Sequence, residues 1–194
     1  MNPDALRDRL RELREEPLID VNRIPGLAFD DLRRAAVLVA LTEIHGDFHA
    51  VFTRRPDTMP EHSGEVSFPG GGTHGDETPL ETALREAHEE IALAPEDVDV
   101  LGAMVQLPTV TGYDITAFVG EFPYPYELQP DPREIDALFL APLRHLMDPA
   151  NRRKERHTWK GVSFDLHFFD YQAYTIWGAT GYILHELLEY LRTD

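Results

Sequence analysis

Three glutamates within five residues form the part of this chain best suited to chemistry. Glu86, Glu89 and Glu90 follow a glycine-rich turn in the segment 71–93, which reads GGTHGDETPLETALREAHEEIAL. Residues three and four apart share one face of an α-helix, so a helix here would crowd the three carboxylates at a cost of roughly 0.2–0.5 kcal/mol per like-charged pair. Because Mg²⁺ and Mn²⁺ prefer oxygen ligands, a divalent-cation site would account for this crowding, whereas a solvated acidic face is the alternative.

The local sequence specifies a helix that would carry these glutamates. Thr78 and Glu81 have the spacing of a capping box, with Pro79 at the first helical position. Arg85 lies four residues before Glu89 and is placed to tether a carboxylate. The glutamates are predicted to fall mainly on the side facing a cleft or solvent, opposite an apolar stripe. That stripe consists of Leu80, Ala83, Leu84, Ala87 and Ile91.

The charge of the chain points to the same kind of site. The formal net charge is −17, which argues against binding nucleic acid through the general electrostatic field. An anionic substrate would be repelled as well, and bound cations would be needed to invert the local field. Composition and the glutamate cluster therefore both predict a requirement for divalent metal.

Composition indicates one globular domain. The 194 residues are 42% hydrophobic, an ordinary value, and provide for an adequate core. No apolar run is long enough to span a bilayer and no signal-peptide pattern opens the chain, so membrane association is not expected. The absence of cysteine excludes disulfides and thiolate chemistry and fits a cytoplasmic location, which we take as the expectation.

The glutamate segment resembles the Nudix box. That motif is a glycine, five residues, Glu, seven residues, and then Arg-Glu-apolar-x-Glu-Glu-x-Gly-apolar. Ala92 stands where the family has a glycine that ends the helix in the left-handed conformation, so the helix exit is expected to differ. The matching positions are Gly71, Glu77, Arg85, Glu86, Ala87, Glu89, Glu90 and Leu93.

Residues before the box resemble the coenzyme A pyrophosphatase branch of Nudix hydrolases. Val51-Phe52-Thr53-x-Arg55, Gly64 and Phe68-Pro69-Gly70-Gly71 correspond to its additional signature, and His62 fits the same pattern. Pro60 departs from it, since the branch has an arginine there. With further similarity downstream, the resemblance spans about residues 35–191.

The resemblance implies a role for each matching residue. Glu86, Glu89, Glu90 and the carbonyl of Gly71 would bind Mg²⁺ or Mn²⁺, while Glu77 would pair with Arg85 and Arg85 would hold a metal-binding glutamate in place. The general base stays open among Glu89, Glu90 and a loop carboxylate such as Glu134. The implied catalytic set is Glu77, Arg85, Glu86, Glu89 and Glu90, and the implied substrate-binding set is Arg55, Phe68, Gly70 and Gly71.

Two weaker signals lie in the second half of the chain. Five basic residues fall within nine positions and form either a solvated hairpin or a receptor for a phosphate such as the 3′-phosphate of coenzyme A. Tyr171 and Trp177 are predicted to pack in the core rather than to stack on a base. The basic residues are Arg152, Arg153, Lys154, Arg156 and Lys160.

The remaining elements follow from hydrophobic periodicity and turn signals. Helices are predicted at 3–15 and 179–191, and a helical turn after Pro142; the first helix is expected to pack on the core or to contact a second copy in a homodimer. Residues 17–33 are predicted to be irregular, and residues 69–72 to form a glycine turn. Strands are predicted at 35–42, 48–54, 66–68, 98–107, 113–122, 135–140, 156–159 and 162–168.

These elements predict an α/β fold, and the resemblance implies a Nudix-type α/β/α sandwich with a mixed β-sheet. The chain is expected to form a single domain, 1–194, with an N-terminal helical extension (1–34) and a core (35–191). The expected activity is hydrolysis of coenzyme A or its derivatives to 4′-phosphopantetheine and adenosine 3′,5′-bisphosphate. The alternatives are a Nudix activity on a nucleoside triphosphate, ADP-ribose or NADH, and a catalytically silent domain that only binds a nucleotide.

Overall fold

The computed structural model describes residues 2–20, 31–57, 64–159 and 161–192. Pro60, His62 and Lys160, which entered the sequence analysis, lie outside these ranges. The helices are α1 (Pro3–Leu10), α2 (Pro79–Ile91), α3 (Leu143–Met147) and α4 (Gly178–Arg192). The strands are β1 (Ile19–Asp20), β2 (Arg33–Ile44), β3 (Asp47–Arg54), β4 (Val66–Ser67), β5 (Gly70–Gly72), β6 (Asp99–Pro108), β7 (Tyr113–Glu121), β8 (Ala137–Pro142), β9 (Arg152–Trp159), β10 (Val162–Tyr171) and β11 (Tyr174–Ile176).

A mixed sheet of eight strands forms the centre of the molecule. Its order is β1-β6-β7-β2-β3-β4, with β5 paired to β2 and β8 paired to β3. β2 runs parallel to β7 and antiparallel to β3 and β5. A second, smaller sheet has the order β11-β10-β9.

Helices cover both faces of the central sheet, because the middle of β2, from Ala35 to Leu41, is continuously apolar. On one face α2 packs against Leu38, Ala40 and Val51, and on the other α1, α3 and α4 pack against Val39 and Leu41. The predicted α/β/α sandwich is therefore confirmed. None of the helices in the described ranges is both long and apolar enough to cross a membrane.

The N-terminal helix lies on the face opposite α2. Leu6 and Leu10 join the core on that face, and Arg7 fastens the helix to the sheet through Glu121 (Nε to Oε2, 2.9 Å) and Glu43 (Nη2 to Oε2, 2.7 Å). The helix is shorter than the predicted 3–15, and the N-terminal region also contains β1, which pairs with β6. α1 therefore does not cover the glutamate face of α2.

The glycines before α2 differ from their prediction. Gly70–Gly72 were expected to form a turn, but they form β5, which pairs with Ala35–Val37 of β2. A side chain at Gly70 would meet the carbonyl oxygen of Ala36 at 2.5 Å, so only glycine allows this close approach.

The predicted hairpin is present and longer than expected. β9 begins at Arg152 rather than 156, so Arg152, Arg153 and Lys154 lie within a strand instead of before it. Strand β11 was not predicted.

Candidate active site

The glutamate helix begins as its sequence predicts. The Thr78 amide donates to Oε2 of Glu81 (2.7 Å) and the Glu81 amide donates to Oγ1 of Thr78 (3.3 Å), which completes the capping box around Pro79. Leu80 and Leu84 are only partly buried, while Ala83, Ala87 and Ile91 are fully buried against the sheet. The cap and the stripe together fix which face of α2 meets the glycine strand β5.

The exit of α2 keeps the left-handed conformation although Ala92 replaces glycine. Ala92 has φ 56° and ψ 30°, its amide donates to His88, and the amide of Leu93 donates to Ala87. The bond from Ala92 to His88 is the 5→1 bond of the αL motif, in which the left-handed residue is usually glycine. The expectation of a different exit is therefore wrong, and the alanine holds a backbone conformation that costs it about 1–2 kcal/mol.

Arg85 organises the carboxylates on the exposed side of the helix. Its Nε donates to Oε1 of Glu77 (2.7 Å), and its Nη1 donates to both Glu86 (2.8 Å) and Glu89 (3.0 Å). A further bond from Nη2 to the Gly72 carbonyl (3.1 Å) ties the same guanidinium to β5. The structure thus brings Glu77, Arg85, Glu86 and Glu89 together as predicted.

Glu77 is a fixed anchor for this guanidinium. Arg85, together with the His74 amide, lowers the pKa of Glu77 from 4.5 to about 2. Oε2 of Glu77 also accepts the Thr82 hydroxyl at 3.0 Å. Sequence reasoning missed Thr82, although a threonine next to the buried Ala83 on the sheet side of an amphipathic helix is a signal for a buried hydrogen bond.

Glu86 lies directly against the backbone of the glycine strand. A Cβ atom added to Gly71 would stand 2.4 Å from Oε1 of Glu86, closer than real Cβ contacts allow. The absence of a side chain at Gly71 therefore leaves the space that this carboxylate occupies.

Glu90 differs most from the sequence-based expectation. It was predicted to face a cleft or solvent, but it is only 4% exposed, and its Oε2 accepts the Gly70 amide at 3.2 Å. Glu89, by contrast, has a side chain that is 58% exposed. The reason is that β5 and the segment around Asp131 enclose the end of α2, and neither contact is visible in local periodicity.

Burial raises the pKa of Glu90 to about 8. Glu86 and Glu134 add to this rise through their negative charges, while the Gly70 amide and the charge of Arg55 oppose it. Arg55 precedes the box in the sequence and Glu134 follows it, and the charges of both affect the pKa of Glu90. The loop carboxylate named as a candidate base and the arginine named for substrate binding are therefore both near enough to Glu90 to affect its pKa.

A later segment of the chain completes the end of α2. The amides of Gln129 and Asp131 donate to the carbonyl oxygens of Ile91 (2.9 Å) and Glu90 (2.8 Å). These carbonyls would otherwise have no partner within the helix. No sequence signal identified this contact, because it joins residues about forty positions apart.

The structure contradicts one predicted substrate contact. Phe68 is 1% exposed and its ring stacks on Phe52 with the centroids 4.8 Å apart, so it is a core residue. Trp177 shows the opposite error, since it was predicted to pack in the core and is 42% exposed. Tyr171 packs against the core as predicted, with its ring on Phe139.

The four members of the basic cluster that the structure describes are paired within the protein. Arg152 bonds to Glu189, Arg153 to Asp170, and both Lys154 and Arg156 to Asp165. These ion pairs favour the hairpin interpretation over a phosphate receptor.

The oxygen-rich site fits a hard cation, although no ready-made cage is present. Across the described parts of the chain, no three His, Asp or Glu side chains already stand in a metal-binding arrangement. In this state Arg85 bridges Glu86 and Glu89, while Glu90 is turned to the Gly70 amide. Glu90 is nevertheless a buried carboxyl group beside further carboxylates. A divalent cation would stabilise such a set of oxygen donors.

Comparison with known proteins agrees with this arrangement. The NUDIX domain model matches residues 32–165. Nudix hydrolase 15, mitochondrial, of Arabidopsis thaliana is 38% identical over 160 residues, covering 78% of this chain and 56% of the plant protein. The Uncharacterized Nudix hydrolase NudL of Pectobacterium atrosepticum is 36% identical over 163 residues, covering 80% of this chain and 81% of that protein. The chain thus spans little more than half the length of the plant relative.

Solved structures show the same architecture. The Nudix hydrolase RenU from M. smegmatis superposes with a TM-score of 0.52 and 22% identity, covering 66% of this chain and 80% of that one. A MutT/nudix family protein from Enterococcus faecalis gives 0.53 and 12% identity, covering 86% and 64%. At these identities the likeness concerns the fold.

Proposed function

Because the chain belongs to the Nudix hydrolase family, we propose that it is a divalent-metal-dependent pyrophosphohydrolase that cleaves coenzyme A or its derivatives. The products would be 4′-phosphopantetheine and adenosine 3′,5′-bisphosphate. The family match supports the coarser statement, a Nudix pyrophosphatase acting on a nucleoside diphosphate derivative.

One observation carries the choice of substrate. Arg55 belongs to the signature that precedes the box and resembles the coenzyme A branch, and its charge acts on Glu90 within the site. A guanidinium at this place would attract an anionic diphosphate toward carboxylates that would otherwise repel it. The residue that distinguishes the branch in the sequence is therefore also a neighbour of the site's most buried carboxylate.

The metal-binding set would be Glu86, Glu89, Glu90 and the Gly71 carbonyl, holding Mg²⁺ or Mn²⁺. A bound cation supplies charge neutralisation and lowers the pKa of a bound water. Arg85 would orient Glu86 and Glu89 from its anchor on Glu77, and such supporting contacts are typically worth about 10–100-fold in metal affinity or activity.

Hydrolysis requires that water attack one phosphorus atom while the bridging oxygen leaves with the other phosphate. A carboxylate must accept the proton of that water. Glu89, Glu90 and Glu134 are the candidates, and the influence of Glu134 on Glu90 supports including the loop residue.

The test is hydrolysis of coenzyme A with Mg²⁺ or Mn²⁺ beside nucleoside triphosphates, ADP-ribose and NADH, with products identified by mass. Release of 4′-phosphopantetheine faster than any other turnover would support the proposal, and ¹⁸O-labelled water would show which phosphorus is attacked.

Glu86→Gln should abolish turnover, whereas Glu96→Gln, in the helical turn after α2, serves as the control. Faster turnover of another substrate would be consistent with metal-dependent hydrolysis but would refute coenzyme A as the preferred substrate. Metal binding without any turnover would favour the silent binding domain.

A further inference from the structure

All five N–H groups of the Arg85 guanidinium donate hydrogen bonds. Nε and Nη2 donate to the two carboxylate oxygens of Glu77 at 2.7 and 3.1 Å, and Nη2 also donates to the Gly72 carbonyl. Nη1 supplies both of its protons to Glu86 and Glu89. Because the five donors lie in one rigid plane, the places of Glu86 and Glu89 depend on how Glu77 orients that plane.

A buried hydroxyl holds Glu77 from the helix side. Thr82 is fully buried, and its Oγ1 donates to Oε2 of Glu77 at 3.0 Å. The same oxygen accepts the His74 amide at 3.0 Å, from the loop that precedes α2. A carboxylate and a guanidinium that share two parallel hydrogen bonds have a defined relative geometry. The two donors on Oε2 therefore also help to orient Arg85.

Thr73 determines which way the Thr82 hydroxyl points. The two hydroxyl oxygens lie 3.2 Å apart. A hydroxyl carries one proton, and an ionised carboxylate can only accept. Glu77 is ionised near neutral pH, because Arg85 and the His74 amide lower its pKa to about 2. The proton of Thr82 therefore goes to Glu77, and Thr73 donates its own proton to Thr82.

The buried hydroxyl is unusual for the place that it occupies. Ala83 and Ala87 are fully buried on the same helix, so an apolar side chain at position 82 would extend an apolar surface. Burial of a hydroxyl costs free energy unless the group is hydrogen-bonded, and here its bonds go to Glu77 and Thr73. Thr73 directly follows β5, so these bonds join the glycine strand to the glutamate helix.

We propose that Thr82 is a positioning residue, which with Thr73 forms a hydroxyl relay that orients Glu77 and, through Glu77, the guanidinium of Arg85. The relay thereby sets the places of Glu86 and Glu89, and this inference rests on the proposed function because that function assigns both carboxylates to a divalent cation. Thr82 itself touches neither the metal nor the substrate in this assignment.

The first experiment titrates Mn²⁺ into the wild-type protein, Thr82→Val and Thr82→Ser by calorimetry. Valine keeps the branched shape but removes the donor, so the affinity should fall about 10-fold, the lower end of the range for supporting contacts at metal sites. Serine keeps the hydroxyl and should recover most of the affinity. Thr42→Val is the matched control, because Thr42 is also fully buried but its hydroxyl has no hydrogen-bond partner within the described residues.

A second measurement follows Arg85 in the metal-free protein. The Nε–H signal of Arg85 in a ¹H–¹⁵N spectrum, assigned by its loss in Arg85→Lys, reports on the bond to Oε1 of Glu77. This signal should shift in Thr82→Val, return in Thr82→Ser and stay in place in Thr42→Val. A general loss of stability would not produce this pattern, and thermal unfolding verifies that each variant is folded.

A double substitution tests whether Thr82 acts through Glu77. Residues that act through one another are not additive in their effects. Thr82→Val should therefore cause little further loss of Mn²⁺ affinity in a protein that already carries Glu77→Gln.

Three results would overturn the inference: wild-type Mn²⁺ affinity in Thr82→Val, equal losses in Thr82→Val and Thr82→Ser, or full additivity with Glu77→Gln. A wild-type protein that does not bind Mn²⁺ would refute the metal site of the proposed function, and an unchanged Arg85 signal in Thr82→Val would then overturn the relay as well. Neither measurement involves the substrate, so a failure to hydrolyse coenzyme A is distinguished from a failure of this inference.

Discussion

Oε1 of Glu86 occupies the position that a side chain on Gly71 would need, since a Cβ atom there would lie 2.4 Å away. The glycine strand and the glutamate helix therefore fit together only when residue 71 has no side chain. The neighbouring Gly72 is different, because a Cβ at that residue would meet nothing within 4 Å. The two adjacent glycines provide a variant and its control.

Gly71→Ala should displace Glu86 and reduce both Mn²⁺ affinity and the rate of hydrolysis. A displacement of about 1 Å at a catalytic group can cost on the order of 100-fold in rate. Isothermal titration with Mn²⁺ and steady-state kinetics measure the two effects. Gly72→Ala should stay close to wild type, and equal losses in both variants would show that the contact with Glu86 is not the cause.

Arg85→Lys should weaken metal binding about 10–100-fold, because one ammonium group cannot reproduce the fork that joins Glu77, Glu86 and Glu89. The measurement is the Mn²⁺ concentration needed for half-maximal rate. Arg133→Lys changes an exposed arginine of the following loop and should leave that concentration unchanged. A normal metal requirement in Arg85→Lys would contradict the positioning role of Arg85.

The buried Glu90 should make the metal-free protein less stable as the pH rises. The unfolded chain releases this proton near pH 4.5, but the folded protein holds it to about pH 8. Between these values the unfolded state binds fewer protons, so the free energy of unfolding falls by up to about 1.4 kcal/mol per pH unit. Denaturant unfolding in EDTA should show this fall in the wild-type protein.

Glu90→Gln should remove that component of the pH dependence, because the amide does not ionise. The variant should therefore be more stable than the wild-type protein at pH 8 by a few kcal/mol, with a much smaller difference at pH 5. Glu89→Gln changes an exposed carboxylate of the same helix and should follow the wild-type curve. Parallel curves for wild type and Glu90→Gln would refute the burial of an ionisable Glu90.

Ala92→Gly should stabilise the protein by about 1 kcal/mol, because glycine adopts the left-handed helix end without the steric cost that alanine bears. Chemical denaturation gives the difference. Ala94→Gly, two residues later in extended backbone, should destabilise instead, since there glycine only adds freedom to the unfolded chain. Changes of the same sign in the free energy of unfolding of both variants would contradict backbone strain at Ala92 in its left-handed conformation.

Local signals predicted the helix and the contacts of its cap and of Arg85 correctly. The capping box at Thr78, the apolar stripe and the spacing of Arg85 to Glu89 are all short-range features, and the structure reproduces each of them. The order of strands and helices was likewise readable from periodicity, which led to the correct sandwich.

Contacts between distant segments explain what the sequence did not predict. Gly70–Gly72 form a strand because β2 offers a partner, although glycine itself disfavours strands. Glu90 is buried because β5 and the segment around Asp131 meet at the end of α2. Trp177 follows β11 and stacks on Phe168 of β10 while 42% of it stays exposed, whereas its residue type suggested the core.

The bonds from Gln129 and Asp131 to the carbonyls of Ile91 and Glu90 have a consequence for the order of assembly. During synthesis, the box itself is complete once residue 93 has emerged, but the last turn of α2 still lacks these partners. The site can therefore take its final form only after about forty more residues have left the ribosome. A nascent chain that stops short of residue 131 would contain every proposed metal ligand without the backbone contacts that close the end of their helix.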